Sequence, residues 1–204
     1  DDKGLRIPPK IAPTQIVIIP IIKNKNSLSN ISIFLEPILN GLKQNNIRYY
    51  LDDRNNISPG YKFNEWEMKG VPIRIEVGPR DIENNSILIV RRDTGEKKPI
   101  KISDSLNQQL NLIDEIQLNM FQLAKDFQQK NTFHINSYEK FKSTLQAGGF
   151  IKCGWDGNIE SEAAIKVETK ATIRCILSDN PPNDTNCIYS GNPAKYEVIF
   201  AKAY

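Results

Sequence analysis

Histidine is almost missing from this sequence: His134 is the single one in 204 residues. It stands beside Phe133 and outside any recognisable motif. That leaves no histidine-based acid–base pair and no Cys–His nucleophile. Cysteine is scarce as well. Cys153, Cys175 and Cys187 are an odd, widely spaced set. They do not form a disulfide framework and point to a reducing, cytoplasmic setting. No apolar run approaches the roughly 18–20 residues of a membrane span, so no membrane partner is expected. The opening DDKGLRIPPK carries no signal-peptide pattern. It also lacks an initiator Met, so a piece of a longer chain is expected. TGEKK does not have the spacing of a phosphate-binding loop, and no GxSxG elbow occurs. By these absences the chain is a binding module without a catalytic constellation.

What is present is ordinary in bulk. At 39% hydrophobic and 25% charged, the chain has the composition of a soluble globular protein. A net charge of +3 allows a nucleic-acid partner without requiring one. Residues 1–13, with Pro8, Pro9 and Pro13, read as an extended linker. QIVIIPII (15–22) reads as a buried strand. Ile33, Phe34, Ile38, Leu39 and Leu42 then recur at helical spacing around Pro37. RYYLDD (48–53) is a short strand, NNISPG (55–60) a turn, and YKFNEWEMKG (61–70) a short helix stopped by Gly70. SILIVRRD and KKPIKI follow as strands. The second is expected at an edge, because Pro99 cannot donate to a ladder. This order argues for a mixed-sheet α/β domain over residues 14–103.

A long helix is expected over 104–131. Leu106, Leu110, Ile113, Ile116, Met120, Leu123 and Phe127 step by three and four, and Ser105 with Gln108 offers a capping box. Residues 132–204 read as a small α+β unit. Its first helix is expected to start at an Asn136–Glu139 capping pair and to stop at Gly148–Gly149.

The stretch GVPIRIEVGPRD (70–81) is the most informative. Val71, Ile73, Ile75 and Val77 make one apolar strand face, while Arg74 and Glu76 lie on the other. Arg80 and Asp81 follow its end. Phe63 and Glu67 sit four apart and share a helix face. If Phe63, Glu67, Arg74, Arg80 and Asp81 converge, the set suits guanines in single-stranded RNA. The ring stacks on a base, the arginines donate to O6 and N7 or to phosphate, and the carboxylates accept from N1–H and N2–H. The plainer reading is a surface salt-bridge cluster contributing about 0–1 kcal/mol per pair. For metal, Cys153 has no cysteine neighbour, and Cys187 is followed by Ser190 where a second thiolate would complete a ligand pair. Cys175 lies in the apolar run TIRCIL and is expected in the core. Zinc is therefore not expected.

Those same motifs, DDRNNISPGYKFNEWEMKGVPIRIEVGPRD and VRRDTGEK, closely resemble the anticodon-binding domain of prolyl-tRNA synthetases of the archaeal and eukaryotic type. GLRIPPKIAPTQIVIIP resembles the junction leaving the family's class II catalytic domain, and NPAKYEVIFAKAY its C-terminal domain, which commonly ends in tyrosine, here Tyr204. The resemblance spans essentially the whole chain. It implies a ligase that activates proline with ATP and magnesium and charges proline tRNA, with the catalytic site upstream of this piece. It implies a homodimer formed through that missing domain. For the anticodon guanines it implies Phe63, Glu67, Arg74, Arg80 and Asp81, with Lys97 a further position. The family's C-terminal domain often holds zinc on four cysteines. Here Cys153 and Cys187 match two of them, while Ser161 and Ser190 stand near the other two. Packing around Trp155, Cys175 and Ile199 would then replace the metal. Two other roles fit the same sequence. One is a protein-docking scaffold that binds no RNA. The other is a metal-dependent or catalytic C-terminal unit.

Overall fold

The computed structural model describes residues 1–22, 25–179, 181 and 185–202, with the backbone alone for 25–29. The chain divides into two compact units, residues 1–123 and 124–204. In the first unit the order is β1 (Ile16–Pro20), α1 (Lys25–Gln44), β2 (Tyr49–Leu51), α2 (Pro59–Met68), β3 (Ile73–Val77), α3 (Pro79–Glu83), β4 (Ser86–Arg91), β5 (Lys97–Lys101) and α4 (Ile102–Lys130), the last running on into the second unit. The sheet order is β2-β1-β3-β4-β5. β1 is parallel to β2 and β3, while β4 and β5 add antiparallel. This is the expected mixed sheet, and Pro99 does lie on its edge strand.

Alternation along the strands assigns the two faces. Ile16, Ile18, Ile73, Ile75, Val77, Ile87 and Ile89 pack with Ile31, Leu35, Ile38 and Leu42 of α1 and with Ile113 and Ile116 of α4. The opposite face carries Val17 and Ile19, which pack under Trp66 of α2 with Val71 and Phe63. Pro59 opens α2 behind the N-cap Ser58, whose hydroxyl accepts from the Tyr61 N–H. Gly70, at φ 72°, turns the chain from α2 into β3.

Several local expectations fail. Ile33 is exposed, because the inward stripe of α1 is Ile31, Leu35, Ile38 and Leu42. Pro37, which by its missing N–H belongs early in a helix or breaks it, lies inside α1. α4 starts at Ile102, so Ser105 is not a cap; it is buried and its hydroxyl donates to the Ile102 carbonyl at 2.8 Å. The apolar register of α4 continues to Leu123 and Phe127, yet both are exposed.

The second unit runs β6 (Thr132–His134), α5 (Tyr138–Ala147), β7 (Phe150–Trp155), α6 (Ile159–Thr169), β8 (Ala171–Ser178) and β9 (Tyr196–Lys202), in sheet order β6-β7-β9-β8. The N-cap of α5 is Ser137, with no side-chain bond, so the Asn136–Glu139 cap does not form. Phe141, Leu145, Ile151, Cys153, Trp155, Ile165 and Phe200 form the core. Cys175 is exposed, contrary to expectation. β8 is an edge strand whose register shifts between Ile173 and Cys175 and again between Ile176 and Ser178. Each irregularity breaks the in–out alternation, and residues 174–177 all face outward. Tyr204 lies outside the described residues. Among the described residues no helix is long and apolar enough to cross a membrane.

Candidate nucleic-acid interface

Strand register builds the site. Tyr50 of β2 pairs with Val17 of β1, Val17 with Arg74 of β3, Arg74 with Val90 of β4, and Val90 with Lys97 of β5. This row crosses the sheet on the face that α2 covers. The Arg74 guanidinium lies over the Phe63 ring, 4.6 Å from its centroid. Its Nε donates to Glu76 Oε1 at 2.9 Å. Arg74 is thus aimed by an aromatic face and a buried carboxylate together. Glu67, one turn on from Phe63, reaches the same cleft, which Trp66, Arg74, Arg91, Arg92 and Lys97 also line. Among the described residues no hydrogen bond or ion pair engages the Lys97 side chain.

Four of the six sequence-derived positions, Phe63, Glu67, Arg74 and Lys97, thus gather under and beside α2. The other two lie elsewhere. Arg80 and Asp81 belong to α3, past the far end of β3 from Arg74. Asp81 closes the start of α3 by accepting from the Gly78 N–H at 2.8 Å, and Arg80 is exposed.

Reasoning from the sequence missed what holds α2 in place. Asp52, fully buried, accepts from Arg54 Nε at 2.8 Å, Arg54 Nη2 at 2.6 Å and Trp66 Nε1 at 2.8 Å. Lys62 is buried beneath α2, with its Nζ 2.9 Å from the Asp52 carbonyl and 3.5 Å from Oδ1. Burial alone would raise the Asp52 carboxyl. The hydrogen bonds from Arg54 and Trp66 and the charge of Lys62 outweigh it and hold it well below the usual carboxylate range. Nothing in the residue pattern marks Lys62 as buried, since its partner is ten residues away. Arg91 was also missed. Its Nε and Nη2 bind Asp93 at 3.0 and 2.8 Å, so much of its charge is already matched.

The second unit tests the zinc expectation. Cys153 and Cys187 are buried. Burial pushes the Cys153 thiol up to about 12. The Ser161 and Ser190 hydroxyls each donate to Asp156, at 2.7 Å on Oδ1 and 2.7 Å on Oδ2. Trp155 Nε1 donates to the Ser161 oxygen at 3.1 Å. Burial opposes ionisation of Asp156, but the Ser190 and Ser161 bonds prevail and its carboxyl lies below its usual value. Two buried thiols without a third thiolate or imidazole beside them, and two hydroxyls already spent on a carboxylate, do not fit zinc among the described residues. A hydrogen-bonded Asp156 centre stands where the metal would cross-link the loop to β7.

Comparison with known proteins agrees with this division. Residues 15–111 match the family model described as anticodon binding domain. Residues 138–204 match the one described as prolyl-tRNA synthetase, C-terminal. A proline–tRNA ligase of Porphyromonas gingivalis is 43% identical over 204 residues, all of this chain and 41% of that protein. Those of Azobacteroides pseudotrichonymphae and Prosthecochloris aestuarii are each 44% identical, with 41% and 44% of their lengths covered. The chain therefore spans about two fifths of the length of these curated relatives.

Proposed function

The chain belongs to the prolyl-tRNA synthetase family, and from that premise we propose that the sheet face beneath α2 reads the two guanines of the proline anticodon. One observation carries the reading: Arg74, with 11% of its side chain exposed, is held between the Phe63 ring and Glu76, which its Nε and Nη2 both meet at 2.9 Å, beside Glu67 and in one row with Lys97, and its Nη1 edge, 3.5 Å from the Phe63 carbonyl, is left for a base. Arg74 donates to guanine O6 and N7, Glu67 accepts from N1–H and N2–H, and Lys97 meets phosphate. Arg80 and Asp81, at the far end of β3, serve a neighbouring nucleotide of the loop.

In this reading residues 14–103 are the anticodon domain, 104–131 the connecting helix and 132–204 the C-terminal domain, with 1–13 the junction. The whole enzyme, a cytoplasmic homodimer of the archaeal and eukaryotic type, ligates proline to its tRNA with ATP and magnesium. In this reading those groups bind outside these 204 residues, and the chain alone is inactive.

The test is binding of the chain to a proline tRNA transcript and to one with both anticodon guanines replaced, across a salt series. A preference for guanine that persists as salt rises supports base reading. Equal and steeply salt-dependent binding to both refutes it and leaves a phosphate-binding surface. No binding to either RNA favours the scaffold role.

A further inference from the structure

Residues 1–7 bring one side chain, Lys3, to the same cleft. The Leu5 N–H donates to the Met68 carbonyl at 3.0 Å, and the Ile7 N–H to the Gly70 carbonyl at 3.3 Å. The segment therefore runs as a strap along the end of α2 and the turn into β3. Gly4 permits this approach: its φ is +120°, and a Cβ there would lie 2.5 Å from the Met68 Cα.

Arg92 clasps the strap. Its Nε donates to the Glu67 carbonyl at 3.1 Å, and Nη1 and Nη2 grip the Asp1 carboxylate at 2.9 and 2.6 Å. Nη2 also reaches the Gly4 carbonyl at 3.3 Å. These bonds consume most of a guanidinium's five donors, so Arg92 acts on the strap and not on a ligand. The consequence is the place of Lys3. Its Nζ is held 3.6 Å from Glu67 Oε1, while 71% of its side chain is exposed. So open an ion pair does little to hold a segment in place. Its effect is to station an ammonium on a flexible stem at the mouth of the cleft, next to the carboxylate that faces the base.

We propose that the strap is part of the RNA site: Lys3 binds a backbone phosphate of the anticodon loop, and Arg92 is the positioning residue that holds Lys3 there. The proposal rests on the anticodon reading above. It adds a contact from outside residues 15–111, the part that matches the anticodon-binding family model. When a guanine takes the Glu67 carboxylate, Lys3 exchanges that partner for phosphate.

The experiment measures binding of the wild type, Lys3→Ala, Lys3→Arg, Arg92→Met and Lys3→Ala/Arg92→Met to the two tRNA transcripts over a salt series. Lys3→Ala should weaken both complexes alike at low salt. It should reduce the slope of log K against log salt by about 0.7, one single-strand phosphate contact, and leave the guanine preference intact. Lys3→Arg should keep the wild-type slope. Arg92→Met should reproduce the Lys3→Ala loss, with the double variant no weaker than either. Asp1→Asn repeats the Arg92 comparison without changing a buried side chain. An unchanged slope in Lys3→Ala, or additive losses in the double variant, overturns the proposal. A wild type that binds both transcripts equally overturns the anticodon reading instead, and the slope comparison still decides the strap.

Discussion

Replacing Asp52 by asparagine should be the most damaging conservative change beneath α2. The carboxylate is fully buried and faces three partners: Arg54, Trp66 and the buried ammonium of Lys62. Asparagine keeps the size and a carbonyl but removes the one charge that, among the described residues, compensates Lys62. Leaving a buried charge without its partner costs about 3–5 kcal/mol. Lys62→Met should cost less, about 1–2 kcal/mol. Asp52 keeps Arg54 and Trp66, the methionine fills the place of the lysine stem, and one bond to the Asp52 carbonyl is lost. The double variant should then be more stable than Asp52→Asn alone, because the orphaned ammonium is gone. Urea unfolding followed by Trp66 emission in a Trp155→Phe background reads the first unit by itself. The pH dependence has a fixed sign. The folded Asp52 is held below its unfolded value, so its contribution is complete near neutrality and declines as pH falls below about 4. The gap between wild type and Asp52→Asn should narrow over that acid range. A loss under about 1 kcal/mol, the size of an exposed pair, or a double variant weaker than both singles, would refute the reasoning.

Other outcomes follow from the second unit. Cys175 is exposed, whereas Cys153 and Cys187 are buried. One equivalent of a thiol reagent should react quickly with the native chain, and the other two only on unfolding; rapid labelling of all three would contradict the core. Chelator should leave the thermal midpoint unchanged, since Asp156 with Ser161 and Ser190 takes the place of a metal. Asp156→Ala should cost about 1 kcal/mol, because the Ser161 hydroxyl keeps the Asn158 carbonyl at 2.8 Å and exposed Ser190 turns to water; a chelator-sensitive midpoint would show that a metal binds after all.

The sheet was legible because burial on one face imposes a period of two. Residues 71–77 display it openly, and so does the edge-strand Pro99. What stayed hidden depends on contacts distant in sequence or on irregularity. Cys175 sits in an apolar run that any periodicity places inside, yet two register shifts on an edge strand turn it outward. Ser105 has the composition of a cap, but the backbone is already helical from Ile102. At the site, Phe63, Glu67 and Arg74 were readable from spacing, since a helix turn and the next strand bring them together. Arg80 and Asp81 were placed with them by closeness in sequence, whereas a five-residue strand carries them away. The Asp52–Lys62 anchor and the Arg92 clasp join side chains from separate elements, and no local pattern announces them.

The account stands on Glu67 and Arg74 reading guanine itself, and substitution of inosine for each anticodon guanine tests this most directly. Inosine lacks only the 2-amino group, one of the two donors assigned to Glu67. Wild type should lose about 1–3 kcal/mol of binding at one of the two positions. Glu67→Ala should bind guanine and inosine alike, while Arg74→Ala should still distinguish them at lower affinity. Indifference of the wild type to inosine at both positions would contradict the Glu67 assignment, and indifference to adenine at both positions as well, which removes the O6 acceptor, would leave the charged row a phosphate-binding surface.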